Sequence, residues 1–199
     1  MLSVLTTLAA VGLYGSFAYR HVSYWSRTGR LTGIILAAQA SVLVVLYVCR
    51  RRPSVVSRRP ADWITATVGT FGLLLLRPGG STSLGAHDSL YTGLQMVGVS
   101  LSVWCVLHLG RSFGVVAANR GVRSSGPYRF VRHPMYASYL LIELGYLLSA
   151  WSPANAAVIT IVWAAQLLRA FAEERVLLAD ASYRRYAARV RWRLVPGVF

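Results

Sequence analysis

The sequence predicts an all-α fold, a polytopic transmembrane bundle of about six helices, and three observations lead to it. Hydrophobic residues make up 55% of the 199 residues, and the mean hydropathy is +0.50. That is greasier than the roughly 45–50% usual in a soluble domain. The apolar residues fall into six blocks almost free of charge: residues 1–19, 31–49, 63–76, 90–109, 136–150 and 154–168. The basic residues, all 21 of them Arg, lie mainly at the ends of these blocks and between them. Six crossings with a cytoplasmic C-terminus put 17 Arg inside and 4 outside, as the positive-inside rule requires. The outer four are Arg20, Arg27, Arg30 and Arg77, so a loop over residues 19–30 is part of this expectation.

Taken in order, block 1–19 lacks the basic start and small-residue cleavage pattern of a signal peptide and is expected to stay as a helix. Small residues in the first two blocks (Gly12, Ser16, Ala37, Ala38, Ser41) suit close helix packing and carry no obvious reagent. Residues 50–60 form a basic linker with two prolines, and Asp62 is placed to cap the third helix. Blocks 63–76, 136–150 and 154–168 fall short of the roughly 17 residues a span needs, and depend on interfacial flanks or protein cover. The glycine-rich stretch 77–85 has no phosphate-loop spacing and reads as a connector, with His87 and Asp88 as capping or surface groups. The fourth helix, 90–109, carries Gln95 and ends in His108, a group that suits a helix C-terminus. Residues 110–125 are mixed and are expected to lie along the membrane surface and help close a pocket.

Trp151-Ser152-Pro153 reads as a tight turn with Ser152 as cap and Pro153 in the first helical turn, so the last two blocks form a helical hairpin. The tail 182–193 sets Tyr183, Tyr186, Val190 and Trp192 among Arg residues, a pattern expected to lie on anionic lipid. Nucleic acid is not expected as a partner despite a net charge of +15, because the Arg residues flank apolar blocks. Cys49 and Cys105 have no partner spacing, so neither a disulfide nor a metal site is expected.

The chemistry concentrates in two places. One is the loop Gly126-Pro127-Tyr128-Arg129-Phe130-Val131-Arg132-His133-Pro134-Met135-Tyr136; the other is the helix end Arg169-Ala170-Phe171-Ala172-Glu173-Glu174-Arg175. The hairpin makes them neighbours in space. Arg169 and Glu173 share a helix face at the bilayer edge, and Glu173 and Glu174 are two of only six acids in the chain. Glu143 lies within block 136–150 on a face shared with Tyr136, with Tyr139 or Leu140, and with Leu147. A buried carboxylate there must face the bundle and find a partner. It either ties helices together or contacts a substrate.

The GPYRFVRHPMY run, the hairpin, the EE pair with Arg four residues before it, the Y-x-x-Y of the tail and the closing RLVPGVF together resemble the isoprenylcysteine carboxyl methyltransferase and phospholipid methyltransferase superfamily over residues 109–199. The resemblance implies a membrane enzyme that uses S-adenosylmethionine, bound in a cytoplasmic pocket of the C-terminal half. It assigns residues 110–199 to the methyltransferase core and residues 1–109 to the bundle wall and acceptor access. Tyr128, His133, Pro134, Met135 and Tyr136 would contact the cofactor, Glu173 would hold its amino-acid end, and Arg169 would face the acceptor. Where the carboxyl methyltransferases carry Gln and His ahead of the turn, this chain has Phe113 and Arg120. Glu143 is the membrane-embedded group placed to contact the acceptor. That acceptor is expected to be a lipophilic small molecule: an isoprenylcysteine-like carboxylate, a lipid amine or another hydrophobic compound. The alternatives are an NADPH-dependent membrane sterol or enone reductase, which shares an Arg-His-Pro-x-Tyr segment, and a non-catalytic binding protein. The expected location is a prokaryotic cell membrane.

Overall fold

The computed structural model describes residues 2–49, 55–79, 88–112 and 116–198, and what it describes is mostly helix. Helix α1 (Leu2–Thr28) does not stop at Tyr19; it continues through the stretch expected to be a loop. Nothing between Tyr19 and Thr28 breaks a helix, and Gly29, at φ 71°, ends it. The polar side chains of its last turns are satisfied locally. Arg27 and Ser26 bond to the Ser23 carbonyl and Thr28 to that of Tyr24. His21 is buried against Phe17 and Tyr146. At about 1.5 Å per residue α1 is roughly 40 Å long, more than a bilayer's apolar core of about 30 Å, so Arg20 and Arg27 are carried on a helix and not on a connector.

Helix α2 (Thr32–Cys49) packs back along α1. Of the linker expected over 50–60, residues 50–54 lie outside the described residues; a short strand β1 (Val55–Val56) follows. Helix α3 (Pro60–Phe71) starts on Pro60, with Arg59 as its cap residue, so Asp62 sits inside the first turn and is not the cap. Its buried carboxylate takes the Ser57 hydroxyl hydrogen and pairs with Arg175 at 3.4 Å. A 3-10 turn (Gly72–Leu75) extends α3 against the sixth helix, where a Cβ on Gly72 would lie 2.6 Å from Val162. Residues 80–87, with the glycine-rich stretch beyond Gly79 and His87, lie outside the described residues, as does Phe113.

Helices α4 (Asp88–Leu109) and α5 (Pro134–Ser149) are the closest pair. A Cβ on Gly98 would fall 2.6 Å from the Ile142 side chain, and one on Gly145 would fall 2.6 Å from Gln95 and 2.8 Å from the Tyr91 carbonyl. Gly98→Ala and Gly145→Ala are therefore each expected to cost about 1–3 kcal/mol by overpacking. Thermal unfolding in detergent checks this, and an unchanged midpoint for both would refute the close approach.

Helix α6 (Pro153–Leu177) follows the expected hairpin turn, with Pro153 at its start and Ser152 accepting the Asn155 backbone N–H. Asn155 locks the corner by bonding to Arg77 and to the Ala150 carbonyl. Helix α7 (Ala181–Arg189) is capped by Asp180. Its aromatic face is turned into the protein. Tyr183, Tyr186 and Val190 are buried against Val122 and Leu177, leaving Arg184, Arg185 and Arg189 outward. Protein covers that face because the chain after α7 returns to the loop before α5, where the Arg132 and His133 N–H groups bond to the Trp192 and Arg193 carbonyls at 2.9 and 2.8 Å.

Among the described residues, two helical stretches are long and apolar enough to cross a membrane, Ser89–Leu109 and Pro153–Leu177. Helices α3 and α5, of 12 and 16 residues, fall short of the usual lower limit of about 17. Helix α5 is instead a core helix, with Ser138, Ile142, Glu143 and Tyr146 essentially inaccessible. The main core joins Tyr14 and Phe17 of α1, Leu36 of α2, Leu73 and Leu76, Ile142 and Tyr146 of α5, and Ile159 and Val162 of α6. A second cluster of Cys105, Tyr128, Met135, Tyr136, Tyr139, Ala170 and Leu194 underlies the site.

Candidate active site

The loop before α5 is shaped by Gly126. Its φ of 59° favours glycine, and a Cβ would fall 2.4 Å from the His108 ring at the end of α4. His108 thus packs beneath the turn while its Nδ1 lies 2.9 Å from the Trp104 carbonyl. The 3-10 turn (Gly126–Arg129) buries Tyr128, whose carbonyl accepts the Tyr186 hydroxyl at 2.7 Å. His133 then occupies the cap position of α5 and Pro134 its first turn, which suits a residue without an N–H.

Antiparallel α5 and α6 bring Tyr136 opposite Glu173. The Tyr136 hydroxyl donates to Glu173 Oε1 at 2.6 Å, and Arg169 Nε lies 3.5 Å from the same oxygen. The Arg169 guanidinium also sits 5.5 Å from the centre of the Tyr136 ring and donates to the Thr70 hydroxyl at 3.3 Å. Glu174 is turned about 100° round the helix from Glu173 and points away from the cavity lining. It is held by Arg132 at 2.8 Å, Arg193 at 3.0 Å and His133 Nε2 at 3.3 Å. The adjacent acids divide their roles: Glu173 faces a cavity and Glu174 fastens the C-terminal segment to the loop.

The cavity has about 830 Å³ of atom-free space, part of it open to solvent. Its lining includes Tyr128, His133, Met135, Tyr136, Arg169 and Glu173, so all but one of the expected cofactor and acceptor residues outside Glu143 meet there, Pro134 standing just behind them. Arg120 lines it too. The roof comes from residues 116–123, held by strand β2 (Ala118–Asn119) pairing antiparallel with β1 and by the Ser57 N–H bonding to the Ala117 carbonyl. Tyr183 and Tyr186 close a further side. Burial pushes the phenols of Tyr128, Tyr183 and Tyr186 well up, so they remain neutral rings with hydroxyl hydrogens. Bonds from Ser182 and Asn119 hold the exposed Asp180 carboxyl down at about 2, keeping the α7 cap ionised.

Glu143 is not part of this lining. Its carboxylate accepts Trp163 Nε1–H at 2.6 Å and Gln166 Nε2–H at 3.4 Å, which ties α5 to α6 beneath the cavity. This is the arrangement of the helix-tying reading of Glu143. Sequence reasoning did not single out Thr70, Tyr139, Arg132 or Arg193 for the site. Thr70 stands 99 residues from Arg169 and carried no local signal; Tyr139 was legible only as a neighbour of Tyr136 on one face.

The loop and the acidic helix end lie within a segment that is similar to a known family. Residues 91–179 match the isoprenylcysteine carboxyl methyltransferase (ICMT) family. The match runs from α4 through α6 and bears out the resemblance, although it starts earlier than residue 109 and ends before α7. The ICMT family is one of membrane methyltransferases, and the two long apolar stretches of α4 and α6 fit it. Comparison with curated proteins gave no match. Tyr183, Tyr186 and Arg193 therefore belong to the cavity or its fastening by geometry alone, outside the segment shared with the ICMT family.

Proposed function

We propose that the chain is an integral membrane methyltransferase that moves a methyl group from S-adenosylmethionine to a carboxylate on a lipophilic acceptor. The observation that carries this is the Tyr136–Glu173–Arg169 group at the wall of a tyrosine-rich cavity within the ICMT-matched segment. The residues fit such a cofactor: a carboxylate for an ammonium group, and aromatic faces for a sulfonium and an adenine.

S-adenosylmethionine, when bound, supplies an electrophilic methyl group on sulfur. In this reading Glu173, oriented by the Tyr136 hydroxyl, binds the amino-acid end. Tyr128, Met135, Tyr183 and Tyr186 wall off water, and Arg169 orients the acceptor. Alignment and exclusion of water then supply most of the rate. A carboxylate is favoured over an amine because it needs no base. The one acid in the lining, Glu173, is bonded to Tyr136 and paired with Arg169, and His133 is bonded to Glu174.

Calorimetric titration of the detergent-purified protein with S-adenosylmethionine and its demethylated product, beside NADPH, tests the donor. Glu173→Ala and Glu173→Gln are expected to weaken the sulfonium compound at least about thirtyfold, as for a desolvated charge left unmatched. Binding of NADPH alone would replace this reading with a reductase.

A further inference from the structure

We infer that Tyr139 is a specificity residue of the acceptor site, its hydroxyl donating a hydrogen bond to the acceptor carboxylate beside Arg169. This rests on the methyltransferase reading above and adds a contact to it. Tyr139 is 5% exposed and lines the cavity, yet its hydroxyl oxygen has no hydrogen-bond partner among the described residues. A buried hydroxyl without a partner is costly, and at a ligand cavity the group that enters can supply the missing acceptor. Glu143, one turn further along the same face, does not satisfy it, because that carboxylate is directed to Trp163 and Gln166.

Depth in the bundle says which part of the reaction Tyr139 meets. The Tyr136–Glu173 bond marks one level where α5 and α6 pass in opposite directions. Tyr139 lies three residues into α5 from it and Arg169 four residues back along α6, so both stand about 5 Å deeper than that bond. The Tyr139 ring meets the Tyr136 ring edge-on at 6.2 Å. At this deeper level Arg169 bonds to Thr70, and Tyr14 of α1 donates to the Thr70 carbonyl. Tyr139 and Arg169 thus stand on the side of the cavity toward the apolar interior, where the lipophilic part of an acceptor would be accommodated, while Glu173 and Tyr136 lie nearer the helix ends.

Transfer forms an O–CH3 bond and breaks the S–CH3 bond, whose electron pair stays on sulfur. No proton is released, so Tyr139 keeps its hydrogen throughout. Donation to the carboxylate oxygen that does not attack leaves the other oxygen free to receive the methyl group.

The test compares wild type with Tyr139→Phe, which keeps the ring and removes only the oxygen. Methyl transfer to N-acetyl-S-farnesylcysteine is followed with radiolabelled S-adenosylmethionine, with cofactor affinity by calorimetry and thermal unfolding measured in parallel. The expected result is a kcat/KM for the acceptor lowered about ten- to a hundredfold, the range for one hydrogen bond to an anion, with cofactor Kd unchanged and the unfolding midpoint unchanged or raised. Wild-type kcat/KM in Tyr139→Phe overturns the inference, as does an equal loss of cofactor affinity. A lowered midpoint also overturns it, since the hydroxyl is then bonded within the protein. Wild type that binds the cofactor and methylates no such lipophilic carboxylate overturns the carboxylate reading itself, which separates that failure from failure of Tyr139 alone.

Discussion

Glu174→Ala is expected to destabilise the folded protein by about 3–5 kcal/mol, the cost of removing one partner from a buried ionic cluster. Three cationic or potentially cationic groups converge on this one carboxylate: Arg132 and His133 from the loop before α5, and Arg193 from the C-terminal segment. Without it they remain packed together with their shared counter-charge gone. The thermal unfolding midpoint in detergent should fall by roughly 6–20 °C for a chain of this size. Glu174→Gln should fall between the two, because an amide can still accept a hydrogen bond but offers no charge. A Glu174→Ala protein with the wild-type midpoint would show that the C-terminal segment is held by the Arg132–Trp192 and His133–Arg193 backbone bonds alone. The neighbouring Glu173 should behave in the opposite way, losing ligand with little loss of fold, because it is more exposed and faces the cavity.

Arg169→Ala is expected to lower methyl transfer to a lipophilic carboxylate by about 10²–10³, the usual loss when one fixed donor aimed at reacting charge is removed. The side chain is buried and set from several directions. Glu173 draws its Nε, Thr70 accepts from one terminal nitrogen, and the Tyr136 ring supports its face. Arg169→Lys should recover little, since a point charge reproduces neither the fork nor the stacking. Turnover and calorimetric cofactor affinity should part company in Arg169→Ala, with turnover falling far more. Equal loss of both would make Arg169 a support for Glu173 and remove it from the acceptor site.

These two residues show which parts of the site could be read in advance. Arg169 and Glu173 lie four apart on one helix, and helical spacing alone puts them on one face. The turn at Ser152 and Pro153 was equally local, with the cap and the first-turn proline both in the sequence. Helical periodicity says which face a residue occupies and is silent on what stands across from it. For that reason Glu174 read only as half of an acidic pair, although its partners lie 19, 41 and 42 residues away. Tyr139 gave no sign that it would line a cavity while its hydroxyl stayed without a partner among the described residues.

The same division runs through the fold. Composition and the blocks of apolar sequence determined that the chain is helical and membrane-like, because burying a helix or passing it through lipid requires a run of side chains without charge. The Arg, His, Tyr and Glu residues gathered at the loop before α5 and the end of α6 were equally plain in the sequence. Three things were decided only in the folded protein. The stretch of helix α1 beyond Tyr19 is seated in the bundle, where His21 is buried against Tyr146 and Arg20 reaches the Leu74 carbonyl. Helix α7 turns its tyrosines onto the cavity wall because the chain beyond it pairs with the loop. Strand β1 of the N-terminal half holds the roof of a site built by the C-terminal half. Each depends on a partner distant in the chain, and burial of polar groups favours whichever conformation gives them one.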